Sequence, residues 1–154
     1  MANELSTAGV SVKYIAESSA GTRPTSGYTP IPNIKSTPSL NPEPSNLEVT
    51  DLSDEEWKRY IPGLKDPGGA LAFTANNTTA FQTAWGTLVS AYKSAAATNK
   101  AVWFEIAIPS LTNSFYFAGI PSELGLEAME VDSPAEITAY VTPNQVEGWA
   151  TAST

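Results

Sequence analysis

Only one stretch of this chain has the period of a helix. In residues 79–97, TAFQTAWGTLVSAYKSAAA, Phe81, Trp85, Leu88, Tyr92 and Ala95 recur at i, i+4, i+7, i+11 and i+14. That is one apolar face of a 3.6-residue repeat, and such a face belongs in a core. Thr79 followed by Gln82 spells a capping box. Asn99 stands where a left-handed residue ends a helix. Gly86 weakens the helix by about 1 kcal/mol relative to alanine, so it is expected to mark a close contact.

Everything else alternates or is broken. Val10, Val12, Tyr14 and Ala16 share one side of residues 9–17, Leu47 and Val49 one side of 46–52, and Leu71 and Phe73 one side of 70–76. Residues 101–109, AVWFEIAIP, are apolar on both faces apart from Glu105, so both Trp103 and Phe104 are expected to be covered, by core or by a partner. Further strands are expected at 114–120, 126–131 and 136–142, with a short one through Trp149. Five prolines fall in residues 28–44. Pro30 and Pro32 lack backbone donors, so any strand near Ile31 and Ile34 lies at an edge or starts late. The expected class is mainly β (α+β): a β-sandwich or partial barrel of six to eight strands with one flanking α-helix at about 79–97. Its length of 154 residues suits a single domain, 1–154, with a proline-rich segment at 28–44 and a long connection at 53–69.

Composition removes whole classes of chemistry. The chain has neither cysteine nor histidine. Disulfides, thiolate nucleophiles, histidine-based triads and Cys/His zinc sites are therefore excluded. No apolar run approaches the roughly 18 residues of a membrane span. The opening MANELSTAGV has no basic region followed by an apolar one, so a start in the cytoplasm is expected. The formal net charge is −8, and no Lys or Arg follows Lys100. In that half Glu105, Glu123, Glu127, Glu130, Asp132, Glu136 and Glu147 stand unopposed in sequence, a balance unsuited to gripping nucleic acid.

The remaining motifs are weak. DLSDEE, residues 51–56, clusters carboxylates but lacks the glycine and the distant glutamate of a calcium loop; a negative start to a helical turn is the commoner meaning. PGLKDPGG is not in phosphate-loop order. The Asn-x-Thr matches at Asn76 and Asn77 are better explained by helix capping. Nothing singles out a pair of carboxylates for glycosidase chemistry.

The connection 53–69 raises a sharper question. It carries Trp57, Tyr60, Ile61 and Leu64 together with Lys58, Arg59 and Lys65, yet Pro62, Gly63, Pro67, Gly68 and Gly69 break it. Connections this long are functional or disordered, and disorder suits neither its aromatic nor its aliphatic content. Trp, Tyr and Arg are favoured interface anchors. Self-assembly is the economical expectation: copies close one another's strand edges, and the basic residues of this loop meet the acidic half of another copy.

The segment VTDLSDEEWKRYIPGLKDPGG is similar to one in the major tail tube proteins of long, non-contractile-tailed bacteriophages. Around it stand a short N-terminal strand, IPNIKSTPSLNPEP, an apolar strand, a single amphipathic helix and an acidic β-rich half. The resemblance extends from residue 9 to about 142. It implies a structural virion protein, made in the bacterial cytoplasm and carried in the tail, with no enzymatic activity, cofactor or metal. It implies six-subunit rings stacked into a hollow tube, with a continuous inner β-barrel and loops bridging to the next ring. The implied partners are further copies of the chain, a tape measure protein, tail-tip and terminator proteins, and DNA as a passenger that does not stick; no membrane is involved. The interface residues would be Trp57, Lys58, Arg59, Tyr60, Ile61, Pro62, Gly63, Leu64 and Lys65. Part of the set from Glu105 to Glu147 would line the bore. Some relatives add an immunoglobulin-like domain, which this sequence does not show, so surface decoration is not expected. The competing expectation is an immunoglobulin-like adhesion or carbohydrate-binding module, with Trp149 or Tyr116 exposed to stack on sugar.

Overall fold

The structure is a computed structural model that describes residue 6 and residues 8–154. It divides into two compact units. One comprises the chain up to Pro38 and from Ala70 to Thr154; the other is Ser39–Gly69.

The larger unit is an antiparallel sheet of seven strands, curled into a partial barrel, with one helix against it. In chain order the strands are β1 (Ser11–Ala16), β2 (Thr29–Pro30), β3 (Ile34–Ser36), β6 (Leu71–Asn76), β7 (Val102–Ala107), β8 (Asn113–Pro121) and β9 (Glu136–Thr151). β4 (Asn46–Glu48) and β5 (Tyr60–Pro62) form a separate pair in the smaller unit. The sheet order is β2-β1-β7-β8-β9-β6-β3. The two proline-flanked segments are thus its two edges, as missing backbone donors require.

The helix α1 (Thr79–Ala96) buries Phe81, Trp85, Leu88, Val89 and Ala95 and packs against β1, β7 and β8. Phe81 stacks on Trp85 at 5.8 Å between ring centroids, and the Trp85 indole N–H donates to the Ser122 carbonyl at 2.7 Å. Tyr14, Phe104 and Phe117 are register partners on one face of the sheet, with the last two rings stacked at 5.2 Å. The opposite face carries Trp103, Tyr116 and Ala118, against which Ile15, Tyr28, Ala101 and Ala150 pack. Both sides of β7 are therefore covered, and by core within one subunit rather than by a partner.

Four local expectations are corrected. The N-cap is Thr78, not Thr79: its hydroxyl accepts the Phe81 N–H at 3.1 Å and lies 2.8 Å from Asn33 Oδ1, while Gln82 donates to Asn77 rather than closing a box. Gly86 is exposed, and a Cβ added there would meet no atom within 4 Å, so no close contact explains it. Residues 126–131 are not a strand. Alternation tells which side chains share a face, but a strand also needs a partner edge, and β8 and β9 pair with each other instead.

Nor are 136–142 and the segment around Trp149 separate strands; β9 runs unbroken through both. Its ladder with β8 shifts register between Tyr116 and Phe117 and again between Ala118 and Gly119. Pro143 sits at the second irregularity, where a proline is tolerated. Asn99 does take the left-handed conformation after the helix, at φ 57°.

Replacing Gly86 by alanine should stabilise the free subunit by about 1 kcal/mol. Thr78→Ala should cost about 1 kcal/mol. Urea unfolding of each variant measures both; a destabilising Gly86→Ala would mean that this helix face is more crowded than the structure indicates.

Candidate functional site

The smaller unit is an arm built on a minimal hairpin. Asn46, Leu47 and Glu48 pair antiparallel with Pro62, Ile61 and Tyr60. Val49 N–H donates to Arg59 O at 2.9 Å and Gly63 N–H to Ser45 O at 2.6 Å, extending the ladder at both ends. A Cβ on Gly63 would stand 2.8 Å from Ser45 Oγ, so glycine permits that approach. Gly68 and Gly69 both have positive φ, at 92° and 87°, a left-handed pair that side chains disfavour.

The loop between the two strands is closed by charge. Arg59 donates from Nε to Asp54 at 2.8 Å and from Nη2 to Asp51 at 3.1 Å. Asp51 also accepts the Ser53 N–H, and Asp54 accepts the Asp51 N–H. These bonds hold both carboxyls below the usual range: hydrogen bonds from Ser53 act on Asp51, and those from the Asp51 backbone and then Arg59 act on Asp54. DLSDEE is therefore a loop clasp; the expected helical turn is replaced by turns and bends. Arg59 is already occupied within the arm and is a poor candidate for meeting acids elsewhere.

What the arm does not do is bury its apolar side chains. Trp57 is 80% exposed and Leu64 93%, with Leu47, Leu52, Tyr60 and Ile61 also exposed. A hairpin of three-residue strands has little stability of its own, so these side chains bring the isolated subunit no packing in return for their exposure.

A second unfinished surface lies on β9. β6 pairs with it only over Glu136–Val141, whereas β8 pairs with it as far as Thr151. Among the described residues, no strand pairs with the other side of residues 142–151. Trp149 and Val146 are exposed along this stretch, and Trp149 meets Phe115 edge-on at 5.5 Å. The bare edge expected on the later strands is thus confined to half of β9; β7 and β8 are interior to the sheet.

Of the seven acids of the second half, three are paired with cations and one is buried. Glu123 meets Lys93 at 2.9 Å, Glu136 pairs with Lys35, and Glu147 pairs with Arg23. Each cation comes from far away in sequence. Glu127, Glu130 and Asp132 lie in the connection 122–135, all exposed. Glu105 is removed from the bore candidates because it is fully buried. Its carboxylate accepts from Tyr116 Oη at 2.9 Å, Ser153 N–H at 3.0 Å and Ser153 Oγ at 2.6 Å. Burial by itself raises its pKa, but the bonds from Ser153, Ser114 and Tyr116 outweigh it and leave the group below the ordinary glutamate range.

Sequence reasoning missed this cluster. Arg23 lies over the Tyr116 ring, its Cζ 4.1 Å from the centroid, while it pairs with Glu147. Tyr28 packs against Tyr116 at 5.8 Å, and burial pushes its phenol up to about 12. A lone acid in an otherwise apolar strand was the available signal. Tyr116 is completely buried, which corrects the expectation that it stacks on sugar; only Trp149 of that pair is exposed.

Among the described residues, no group of three or more acidic side chains is placed to hold a metal ion, and no helix is long and apolar enough to cross a membrane.

No protein-family model matches the chain, and no curated protein matches it. Solved structures do. A chain in the anti-feeding prophage cap, which terminates that particle's tube, aligns at TM-score 0.55 and 13% identity, covering 99% of this chain and 94% of that one. A chain in the C6-symmetric tail of an empty GTA particle aligns at 0.53 and 11%, covering 94% and 96%. A chain in the six-fold symmetrised anti-feeding prophage baseplate aligns at 0.52 and 8%, covering 99% and 98%. At these identities the shared property is the fold, and it extends over nearly the whole of each chain.

Glu105 yields a pH-dependent test. Its folded pKa lies below its unfolded one, so ionisation favours the fold. The contribution is complete above the unfolded value of about 4.3 and is lost as pH falls through the folded value. Glu105→Gln should cost about 1–3 kcal/mol at neutral pH, and the gap to wild type should close on acidification. Urea midpoints measured at a series of pH values read both; a gap independent of pH would mean that the charge of Glu105 contributes nothing.

Proposed function

We propose that this protein is a structural subunit of a bacteriophage-type tail, polymerising as stacked six-membered rings into a tube whose bore conducts DNA during ejection. The observation that carries this reading is the unpaired half of β9 together with a strongly apolar exposed arm, on a fold shared with a chain of a C6-symmetric tail.

Each part has a physical task. A neighbouring copy that pairs with residues 142–151 satisfies their open backbone groups, and repetition around an axis closes a ring and an inner barrel. Stacking is the contact that does not close, so it grows. The arm, with Trp57, Tyr60, Ile61 and Leu64 as its apolar anchors and Lys58 and Lys65 beside them, bridges to the next ring. A tail-tip complex would start growth, a tape measure protein would set its length and a terminator would stop it. The product is a virion tail, assembled from subunits made in the bacterial cytoplasm.

The bore need not be strongly negative. Duplex DNA carries a charge about every 1.7 Å along its axis, and a wall on which Arg23, Lys35 and Lys93 are each tied to a carboxylate offers that polyanion less to bind. Part of the group Glu123, Glu127, Glu130, Asp132, Glu136 and Glu147 faces the bore in this reading. Any residual repulsion acts within a screening length of roughly 8 Å.

Concentrated protein supplied with a tail-tip nucleus should form tubes visible by negative-stain microscopy; compact single particles under those conditions would rule the reading out. Trp57→Ala and Tyr60→Ala should leave the thermal unfolding of the free subunit unchanged. Each should lower tube yield about tenfold, the effect of losing ~1.4 kcal/mol at a contact. If either change unfolds the subunit, the arm is part of its core.

A further inference from the structure

The connection 122–135, between β8 and β9, exposes three large apolar side chains: Leu126 at 80%, Met129 at 69% and Val131 at 91%. It has no strand or helix to account for them. Between them stand Glu127 and Glu130, neither with a cation in ion-pair range among the described residues. Beside them Glu127, Ser133, Glu136, Thr138 and Thr74 line a cleft of about 420 Å³. Exposed apolar groups collected in this way mark a contact surface.

The flanking charge selects the partner. Carboxylates repel a phosphate surface, whether nucleic acid or anionic lipid, so the fitting partner is a protein segment that is apolar and cationic. The chain itself displays such a segment in residues 57–65. Trp57 and Leu64 are largely exposed. Lys58 comes no closer than 3.9 Å to its one carboxylate, Glu48, and Lys65 has none within ion-pair distance among the described residues. A flexible methionine thioether is a favourable seat for an indole, and tryptophan is a frequent interface anchor.

We propose that residues 57–65 of one copy dock on residues 126–130 and the adjoining cleft of a second copy, with Trp57 against Met129 and the two lysines facing Glu127 and Glu130. This rests on the tube reading and names the acceptor of its bridging arm. It assigns Glu127, Glu130 and the cleft-lining Glu136 to the contact between rings and leaves Glu123, Asp132 and Glu147 as the acids available to the bore.

The absence of cysteine makes the test clean. Glu56→Cys and Ala128→Cys proteins are prepared separately, mixed, assembled on a tail-tip nucleus and mildly oxidised. A disulfide joining position 56 of one protein to position 128 of the other is expected by mass spectrometry, well above a control mixture in which Ser94→Cys replaces Ala128→Cys. In a second arm, Glu127→Lys with Glu130→Lys should lower tube yield about tenfold, and adding Lys58→Glu with Lys65→Glu to the same chain should restore it. Tubes that form without the 56–128 link, or that tolerate the charge reversal, overturn the docking and leave the tube reading standing. Wild-type protein that remains single particles overturns both.

Discussion

A β-strand whose backbone groups are unpaired recruits another strand, and the treatment of such edges organises this molecule. The two outer edges of the sheet are blunted. β2 has two residues, one of them Pro30; β3 has three, with a register irregularity. The unguarded stretch is where strand lengths disagree. β9 has sixteen residues and β6 only six, so β9 outruns its partner and leaves residues 142–151 open on one side. An edge of that length carrying Trp149 and Val146 is an aggregation hazard in a monomer and an asset in an ordered polymer.

The same stretch of β9 is held by the least expected group in the core. Glu105 sits in an interior strand and gathers Ser153 and Tyr116, while Tyr116 Oη also reaches Thr151 O at 2.8 Å. Arg23 and Tyr28 close over Tyr116. A buried carboxylate is costly unless hydrogen-bonded; Ser153 supplies two donors within 3.0 Å, and the Tyr116 hydroxyl shares its one proton between Glu105 and Thr151 O. The cluster ties the far end of β9 to β7 and β8. A free edge is useful to a partner only if it is presented in a fixed place, and this cluster supplies that fixity.

Much of the fold is legible in the sequence because it depends on local pattern. The helix shows in the spacing of Phe81, Trp85, Leu88 and Ala95, and β1, β6, β7 and β8 show in alternation or in continuous apolar runs. The edge position of the proline-flanked segments follows from missing donors alone. Errors arise wherever the outcome depends on a partner distant in sequence. The alternation of residues 126–131 meets no free edge, so no strand forms. Trp149 and residues 136–142 read as separate pieces, yet β8 holds them in one ladder. Tyr116 is as aromatic as Trp149, but it points to the face covered by Tyr28, whereas Trp149, the register partner of Phe115, lies on the opposite face.

By itself the sequence determined the class of fold, the single helix, the absence of thiol and imidazole chemistry, and an exposed aromatic arm that no local structure could conceal. These follow from residue types and short spacings. Only the tertiary structure decided which acids keep a free charge, because Lys93, Lys35 and Arg23 reach Glu123, Glu136 and Glu147 across long stretches of chain. It alone also decided that Glu105 is interior and that β9 outruns β6. Both depend on strand order and register, and pairing between distant segments is set by the packing of the whole sheet, which no short window of residues contains.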